Sequence, residues 1–448
     1  MRTLFLMAAT VVFHATAFAG APVHMVEEAP VSIITMDSNT HLVDFGRVSF
    51  GNLELAPPSG VRGKTRIHFG EDLANGRVNR NPPRTVRYSS TTAVLREGEP
   101  TIAAPPPDQR NTEQDSPKHP PAILTPEEYG VVLPFRWVEI EGWPGQLLSA
   151  HIKRRSLFSE SWDDDAAAFE SSDPMLNKIW DLSRYAIKAT TFAGIYVDGD
   201  RERIPYEADS YLNQLSHYAT DNDPQMARET FDHLMNYPTW PTEWAPHMIF
   251  MAHADWMHTG DTAWLAPRYE ALKSKLLLDR KGHDGLIRSN QQQIRKIDIV
   301  DWPRSERDGY VFTSVNTVVN AFHLHALRLM AELAAALGKI GEADNFSREA
   351  DRTHVAFQKT LFDDNAGNYR DGIDTEHTSL HASLFPLAFG LVPAEHRGDV
   401  TNWLAASGMR CSVYAAQYLL EGLFVNGAGD RALELITAPG DRSWRHMV

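Results

Sequence analysis

Five carboxylates crowd into twelve positions near the middle of the chain, namely Asp198, Asp200, Glu202, Glu207 and Asp209. Arg201 and Arg203 lie between them. If this segment is extended, the alternation of side chains places Asp198, Asp200 and Glu202 on one side and the two arginines on the other. Closely spaced carboxyls suit acid–base chemistry, because burial can keep one of them protonated while its neighbours stay ionised. A salt-bridged surface loop would carry the same residues, so both interpretations stay open at this point.

The elements around this segment predict that it is a loop between two helices. Gly199 and Pro205 disfavour a helix within it. The apolar residues before it, up to Ile195, are typical of the end of one helix, and residues 207–218 predict the next. Such a loop holds its side chains at the end of a helical bundle, where they can line a cleft.

From residue 170 onward, the apolar residues recur with helical periodicity. Ser172-Asp173-Pro174 and Asp223-Pro224 each combine a capping side chain with a proline in the first turn, which predicts a helix start. Further helices are predicted over residues 244–259, 262–278, 314–337, 340–361, 377–390, 393–406, 411–424 and 428–437. Consecutive amphipathic helices joined alternately by short and long loops predict an α/α toroid over residues 170–448.

Residues 28–160 predict an antiparallel β-sandwich of the jelly-roll kind. Apolar and polar residues alternate over residues 43–50, 63–70 and 135–140, with Gly and Pro between these runs. Residues 104–126 carry seven prolines among polar residues, which predicts a long mobile loop. This domain is either a carbohydrate-binding module or a packing domain that supports the helices, and the sequence favours the second.

The N-terminus and the composition restrict the location and the partners. Residues 1–19 have the form of a secretory signal, with Arg2, a short apolar core and an Ala17-Phe18-Ala19 cleavage pattern. No stretch is long and apolar enough to span a bilayer, and the net charge of −15 argues against nucleic acid or anionic membrane as partner. We therefore expect a secreted or periplasmic protein that binds a neutral substrate. The single cysteine, Cys411, is interpreted as a core residue.

The segment Glu202-Arg203-Ile204-Pro205-Tyr206-Glu207-Ala208-Asp209 resembles the catalytic loop of the α-L-rhamnosidases, which are inverting glycoside hydrolases built on an (α/α)6 barrel. The resemblance gives Glu202 the position of the general acid and Asp209 that of the last sugar-binding Asp. Tyr206 stands where the family has Trp. Asp200-Arg201 reverses the family's Arg-Asp, and Asp198 matches its first Asp if a two-residue gap is allowed. The resemblance therefore implies that Asp198, Asp200, Arg201, Tyr206 and Asp209 bind the sugar.

Two later segments extend the resemblance. Trp244, near Trp240 and ahead of a helix, lies where the family has a tryptophan, and either ring could be a sugar platform or a core residue. Asp301-Trp302 resembles the family's Gly-Asp-Trp segment, with Val300 in place of Gly, and both residues are expected at the pocket. We expect Glu202, Asp209, Trp244 and Trp302 to meet at one mouth of the toroid.

The resemblance leaves the general base without a match. In the family the base is a Glu in the last loop of the barrel, and here Ser443-Trp444 resembles the start of that segment while no Glu follows Glu434. The sequence thus predicts an incomplete toroid and a poor hydrolase, unless Glu243 or Asp301 acts as base. His377 and His381, four residues apart, are interpreted as core or pocket residues because no third metal ligand is spaced to join them.

Together these features predict an exported glycoside hydrolase that removes terminal α-L-rhamnose with inversion and needs no metal or cofactor. A sugar-binding protein that has lost its base is the second hypothesis. A polysaccharide lyase is the third, because α/α toroids also host lyases, although the acidic loop disfavours a uronate.

Overall fold

The computed structural model describes residues 20–114, 120–197 and 199–448. The predicted signal segment, residues 1–19, and the predicted sugar contact Asp198 lie outside these ranges. Over the described residues the prediction of an N-terminal antiparallel β domain followed by a helical toroid is confirmed. None of the described helices is both long and apolar enough to cross a membrane.

The β domain is built on one antiparallel sheet that holds eight of the described strands, in the order β1-β10-β3-β9-β4-β7, with β2 and β8 also paired to β3. A bulge between Asp44 and Ser49 bends the long strand β3. Apolar residues from both halves of β3 share one core with β4, β7, β9 and the buried Trp143. The strands are β1 Val23–Glu28, β2 Ser32–Thr35, β3 Thr40–Leu55, β4 Gly63–Gly70, β5 Leu73–Ala74, β6 Arg77–Val78, β7 Tyr88–Leu95, β8 Thr101–Ala103, β9 Leu133–Glu141 and β10 Ile152–Ser159.

The second domain is helical from Pro174 onward. Most predicted helices are present, and the helix predicted over residues 340–361 has those bounds. The helix predicted over residues 262–278 is instead broken, because Pro267 cannot continue it. The elements are α1 Pro174–Thr190, α2 Glu207–Tyr218, α3 Gln225–Asn236, α4 His247–Thr259, α5 Thr262–Leu265, α6 Tyr269–Leu272, α7 Gln291–Lys296, α8 Thr317–Ala336, α9 Ile340–Leu361, β11 Phe362–Asp363, β12 Asn368–Tyr369, α10 Leu380–Ala388, α11 Arg397–Ser407, α12 Val413–Val425, α13 Gly429–Thr437 and α14 Trp444–Met447.

Five inner helices form a ring. Helices α2, α4, α8, α10 and α12 pack against one another in that order, and α12 also contacts α2. Aromatic rings fill the centre: Phe250 packs on Phe322 with ring centroids 5.8 Å apart, and Phe322 packs on Phe385 at 4.9 Å. The Tyr418 ring packs on Phe385 in turn, with ring centroids 5.2 Å apart. The outer helices α1, α3, α9, α11 and α13 each cover an inner one, which is the layering of an α/α toroid.

An apolar cluster joins the two domains directly ahead of the acidic loop. Phe50 of β3 stacks on Phe192 with ring centroids 3.7 Å apart, and Val132, Leu157 and Val197 pack around them. The guanidinium carbon of Arg203 lies 5.2 Å from the centroid of the Phe192 ring. The chain therefore enters the acidic loop from a position fixed by the β domain.

The described part of the proline-rich segment 104–126 contacts the acidic loop at two places, although about half of its residues are exposed. Asn111 is buried and its Nδ2 donates hydrogen bonds to the backbone oxygen and the Oδ1 of Asp200, at 3.2 and 3.0 Å. The backbone N–H of Ile123 donates to the Arg203 oxygen at 2.8 Å. The composition of the segment does not reveal these contacts with a distant loop, and its mobility stays a prediction.

We predict that Phe192→Ala lowers the free energy of unfolding by about 3–5 kcal/mol, because it removes a fully buried ring between the two domains. Urea unfolding followed by circular dichroism would measure the change. The matched control is Phe424→Ala, whose ring is 52% exposed, and which should change stability by about 0.5 kcal/mol or less. Equal losses in the two variants would contradict the assignment of Phe192 to the interdomain core.

Candidate active site

A cavity of about 1200 Å³ opens at the end of the toroid where α2, α4 and α12 begin. Glu202, Asp209, Trp244 and Trp302 all line it, so the predicted meeting of these residues at one mouth is confirmed. Of the other predicted site residues, Arg201, Tyr206 and Asp301 also lie in its wall. Trp240, considered as a sugar platform beside Trp244, lines it too. Residues that sequence reasoning did not select complete the lining, among them Arg84, Glu306, Ser412, Tyr414, Asp441 and Arg442.

The acidic loop is a series of turns and not an extended strand. Arg203 has φ +51°, in the left-handed region. The reversal brings Asp200 and Arg203 together, with the Asp200 Oδ1 3.0 Å from Nε and 2.8 Å from Nη2 of the arginine. The separation of carboxylates and arginines onto opposite sides applied to an extended segment, and the turn at residues 199–202 does not meet that condition. The predicted loop is present.

Asp200 anchors this loop, and its expected place in the sugar pocket is corrected. It is buried and bonded to Arg203 and to Arg87 of the β domain, whose Nε lies 2.6 Å from its Oδ2. Burial raises the pKa of Asp200 above its ordinary value, and the two arginines oppose that rise. Asp200 lines a second cavity of about 340 Å³, behind the loop, and not the larger one.

Glu202 faces the larger cavity. Its Oε2 accepts a hydrogen bond of 2.8 Å from Nε of Arg201, and 26% of its side chain is exposed. Arg201 lines both cavities and so stands between them. A carboxyl that is reachable from the cavity and has an arginine to hold its orientation can exchange a proton with a bound substrate.

Four aromatic rings, those of Tyr206, Trp240, Trp244 and Trp302, also line the cavity. Tyr206 meets Trp244 edge to face, with ring centroids 5.5 Å apart. Trp240 is 44% exposed and Trp302 is 56% exposed, both at the cavity. Large rings left open to solvent inside a cleft are typical of ligand sites, and indole faces suit the C–H faces of sugars. This placement favours the sugar-platform interpretation of Trp240 and Trp244 over core packing.

Asp301 lies in the cavity wall with both carboxylate oxygens fully bonded. Oδ1 accepts from the Trp302 N–H at 2.7 Å and from the Ser412 hydroxyl. Oδ2 accepts from His381 Nε2 at 2.7 Å and from the Ser412 N–H at 3.0 Å. A carboxylate oxygen offers two lone pairs, so neither is left for a water molecule. This geometry argues against Asp301 as the base and gives His381 a structural role.

Glu243, the other expected base, is buried behind the wall and does not line the cavity. Its two oxygens accept the backbone N–H groups of Ile299 and Val300, at 3.1 and 3.0 Å. Burial, assisted by the negative charge of Asp298, raises the pKa of Glu243 to about 7. Its contacts fix the backbone that leads to Asp301 and Trp302.

These contacts continue around the mouth. Glu207, at the first position of α2, accepts the Thr239 N–H at 2.9 Å and the Thr239 hydroxyl, which fixes the chain just before Trp240. Glu243 then holds the next loop, and Asp301 holds Ser412 at the start of α12. Three buried carboxylates thus each connect two segments of the mouth.

A toroid of helical hairpins with an acidic and aromatic cavity at one mouth defines the class of the α/α glycoside-processing enzymes. Within that class, the family model for the bacterial alpha-L-rhamnosidase six-hairpin glycosidase domain matches residues 164–448. The chain therefore belongs to this rhamnosidase family and is a glycoside hydrolase. No curated protein matches it.

Solved structures agree on the fold. The rhamnosidase from Klebsiella oxytoca with rhamnose bound has a TM-score of 0.71 at 14% identity, with 96% of this chain and 88% of that chain covered. The Streptomyces avermitilis α-L-rhamnosidase complexed with L-rhamnose has a TM-score of 0.73 at 17% identity, covering 96% and 40%. The α-L-rhamnosidase from Aspergillus terreus has a TM-score of 0.73 at 18% identity, with 96% of this chain and 49% of that chain covered. The chain spans less than half of the last two.

We predict that Glu243 makes stability fall as the pH rises. Its pKa is about 7 in the fold against an ordinary 4.5, so the fold favours the protonated carboxyl. That contribution is complete below pH 4.5 and is lost as the pH passes 7. Relative to Glu243→Gln, the wild-type free energy of unfolding should therefore fall by about 3 kcal/mol between pH 4 and pH 8.

Urea unfolding at both pH values measures this difference. The exposed Glu128→Gln variant is the control and should run parallel to the wild type. A constant difference between wild type and Glu243→Gln across this range would show that Glu243 does not titrate there.

Proposed function

We propose that the protein removes terminal α-L-rhamnose from a glycan or glycoside with inversion at the anomeric carbon. The observation that carries this proposal is that Glu202, Asp209, Trp244 and Trp302 all line the same cavity. The chain also belongs to the rhamnosidase family. The rhamnose-bound relatives support the choice of sugar.

In the proposed reaction Glu202 gives its proton to the glycosidic oxygen as the bond from that oxygen to the anomeric carbon breaks. A water molecule attacks the opposite face of the same carbon, and its proton goes to a general base. Asp209, at the start of α2, would accept hydrogen bonds from sugar hydroxyls. The exposed faces of Trp244 and Trp302 would pack on the ring.

We expect the base to be a group other than Glu243 and Asp301. Glu243 lies behind the cavity wall, and both oxygens of Asp301 already accept two hydrogen bonds each. Glu306 lines the cavity and is paired with Arg442. Because Asp301 and Glu306 are already bonded to other protein groups, a second candidate function is favoured. In that case the protein binds rhamnosides and hydrolyses them poorly. Substrate binding without hydrolysis would support that second function.

Export is part of the proposal. Residues 1–19 would direct the chain out of the cytoplasm and be removed after Ala19. The test is expression in a bacterial host followed by N-terminal sequencing of the periplasmic or secreted protein. A mature chain that begins at Gly20 supports export, and an uncleaved cytoplasmic chain argues against it.

We predict that Glu202→Gln lowers kcat by at least about 10²-fold on rhamnosides with poor leaving groups, because the general acid is lost. Activated aryl rhamnosides need less protonation and should be affected less. Glu128→Gln, an exposed change in the β domain, is the matched control. Proton NMR of the first-formed product would report inversion as β-rhamnose. Unchanged rates on both substrates would remove Glu202 from this role.

A further inference from the structure

Arg84 reaches the catalytic cavity from the β domain. It lies between β6 and β7, is exposed, and forms part of the cavity lining with Arg201 and Glu202. Within residues 20–114, 120–197 and 199–448, it makes no ion pair, hydrogen bond or ring contact. The wall beside the proposed acid therefore carries a guanidinium whose donors face open space.

The backbone presents Arg84 on a rigid turn. The Val86 N–H bonds to the Pro83 oxygen at 3.2 Å, and Arg84 has φ +54° at the tip. Pro82 and Pro83 restrict the chain before it. A left-handed arginine is strained, and such strain persists where the surrounding structure enforces it and often marks a functional site.

The turn is fastened to the catalytic loop. Arg87, three residues on, bonds Asp108 at 2.7 Å and Asp200 at 2.6 Å. Its backbone N–H donates to Glu71 at 3.3 Å. Because Asp200 lies two residues before Glu202, these bonds keep Arg84 on the side of the general acid. That side faces the leaving group, since the acid protonates the leaving oxygen.

The other two arginines of the cavity lining, Arg201 and Arg442, have carboxylate partners. Arg201 bonds Glu202, Arg442 bonds Glu306, and the Asp301 oxygens are saturated by donors. An anion on the leaving group would thus meet the Arg84 guanidinium, whose planar fork binds carboxylates and sulfates with two hydrogen bonds. The sugar being cleaved would remain among the carboxylates and rings, where a neutral deoxy sugar fits.

We propose that Arg84 selects substrates whose leaving-group sugar carries an anionic group, a uronic acid carboxylate or a sulfate ester. This inference rests on the proposed rhamnosidase function. Under this proposal the β domain contributes to substrate selection through the Arg84 side chain. Its sheet packs against the toroid as before.

The experiment uses the full chain and four ligands: an aryl α-L-rhamnoside and three disaccharides in which rhamnose is joined to glucose, to glucuronate or to a sulfated glucose. Dissociation constants come from tryptophan fluorescence or calorimetry, and kcat/KM comes from rhamnose release. The variant is Arg84→Asn, because Asn tolerates left-handed backbone. The control is Arg62→Asn, another exposed arginine of the β domain, outside the cavity lining.

We expect the wild type and the Arg62 control to prefer one of the anionic disaccharides over the neutral one by about tenfold in affinity. Arg84→Asn should abolish that ratio, and added salt should weaken it in the wild type. The carboxylate and sulfate arms identify which anion is recognised. Equal affinity for neutral and anionic ligands, or a preference that survives in Arg84→Asn, would overturn the inference while leaving the rhamnosidase function intact. Failure to bind or cleave any of the four ligands would instead overturn the proposed function, and the inference with it.

Discussion

The geometry of the catalytic mouth depends on buried carboxylates that accept backbone N–H groups from the neighbouring loop. Glu207 lies at the start of α2, Glu243 and Asp301 lie between helices, and each accepts a backbone N–H from another segment of the mouth. A buried carboxylate is costly unless hydrogen bonds replace its water, and a peptide N–H lost from such a pair is itself left unsatisfied. Each contact is therefore specific for one relative position of two loops. The aromatic walls are held in place by this arrangement, since Trp240 and Trp302 directly follow the bonded backbone.

The same contacts explain why carboxylates of one acidic segment perform different tasks. Glu202 lines the cavity and is paired with Arg201, whereas Asp200 is buried between Arg87 and Arg203. Their spacing in the sequence is that of two residues on the same side of a strand. The left-handed Arg203 and the turns before it separate them into two cavities. Environment, and not residue type, distinguishes the group that can meet a substrate from the one that anchors the loop.

The sequence predicts what depends on local pattern. Helices such as α9 follow from periodicity, and the convergence of Glu202, Asp209, Trp244 and Trp302 follows from a toroid whose alternate loops share one end. Bonds between distant segments leave no such pattern. The sequence around Arg84 does not indicate that this side chain lines a cavity together with Glu202, which follows more than a hundred positions later. Ser412 has the sequence pattern of an ordinary helix cap, but its backbone N–H also bonds Asp301. The buried contact of Asn111 with Asp200 was missed for the same reason, because a proline-rich composition does not show which side chain is buried.

The relation between the two domains follows from these non-local contacts. The Phe50–Phe192 stack fixes where the chain enters the acidic loop, and Arg87 and Asn111 fix Asp200 within it. The position of Glu202 is thus determined from the β domain as much as from the toroid. A helical ring alone would lack Arg87 and Asn111, and Arg203 would then be the remaining described partner of the Asp200 carboxylate. The contacts from the β domain therefore restrict where this carboxylate, and with it the acidic loop, can lie. Because Asp200 is two residues from Glu202, the same contacts bring the β domain close to the cavity, and Arg84 forms part of its lining.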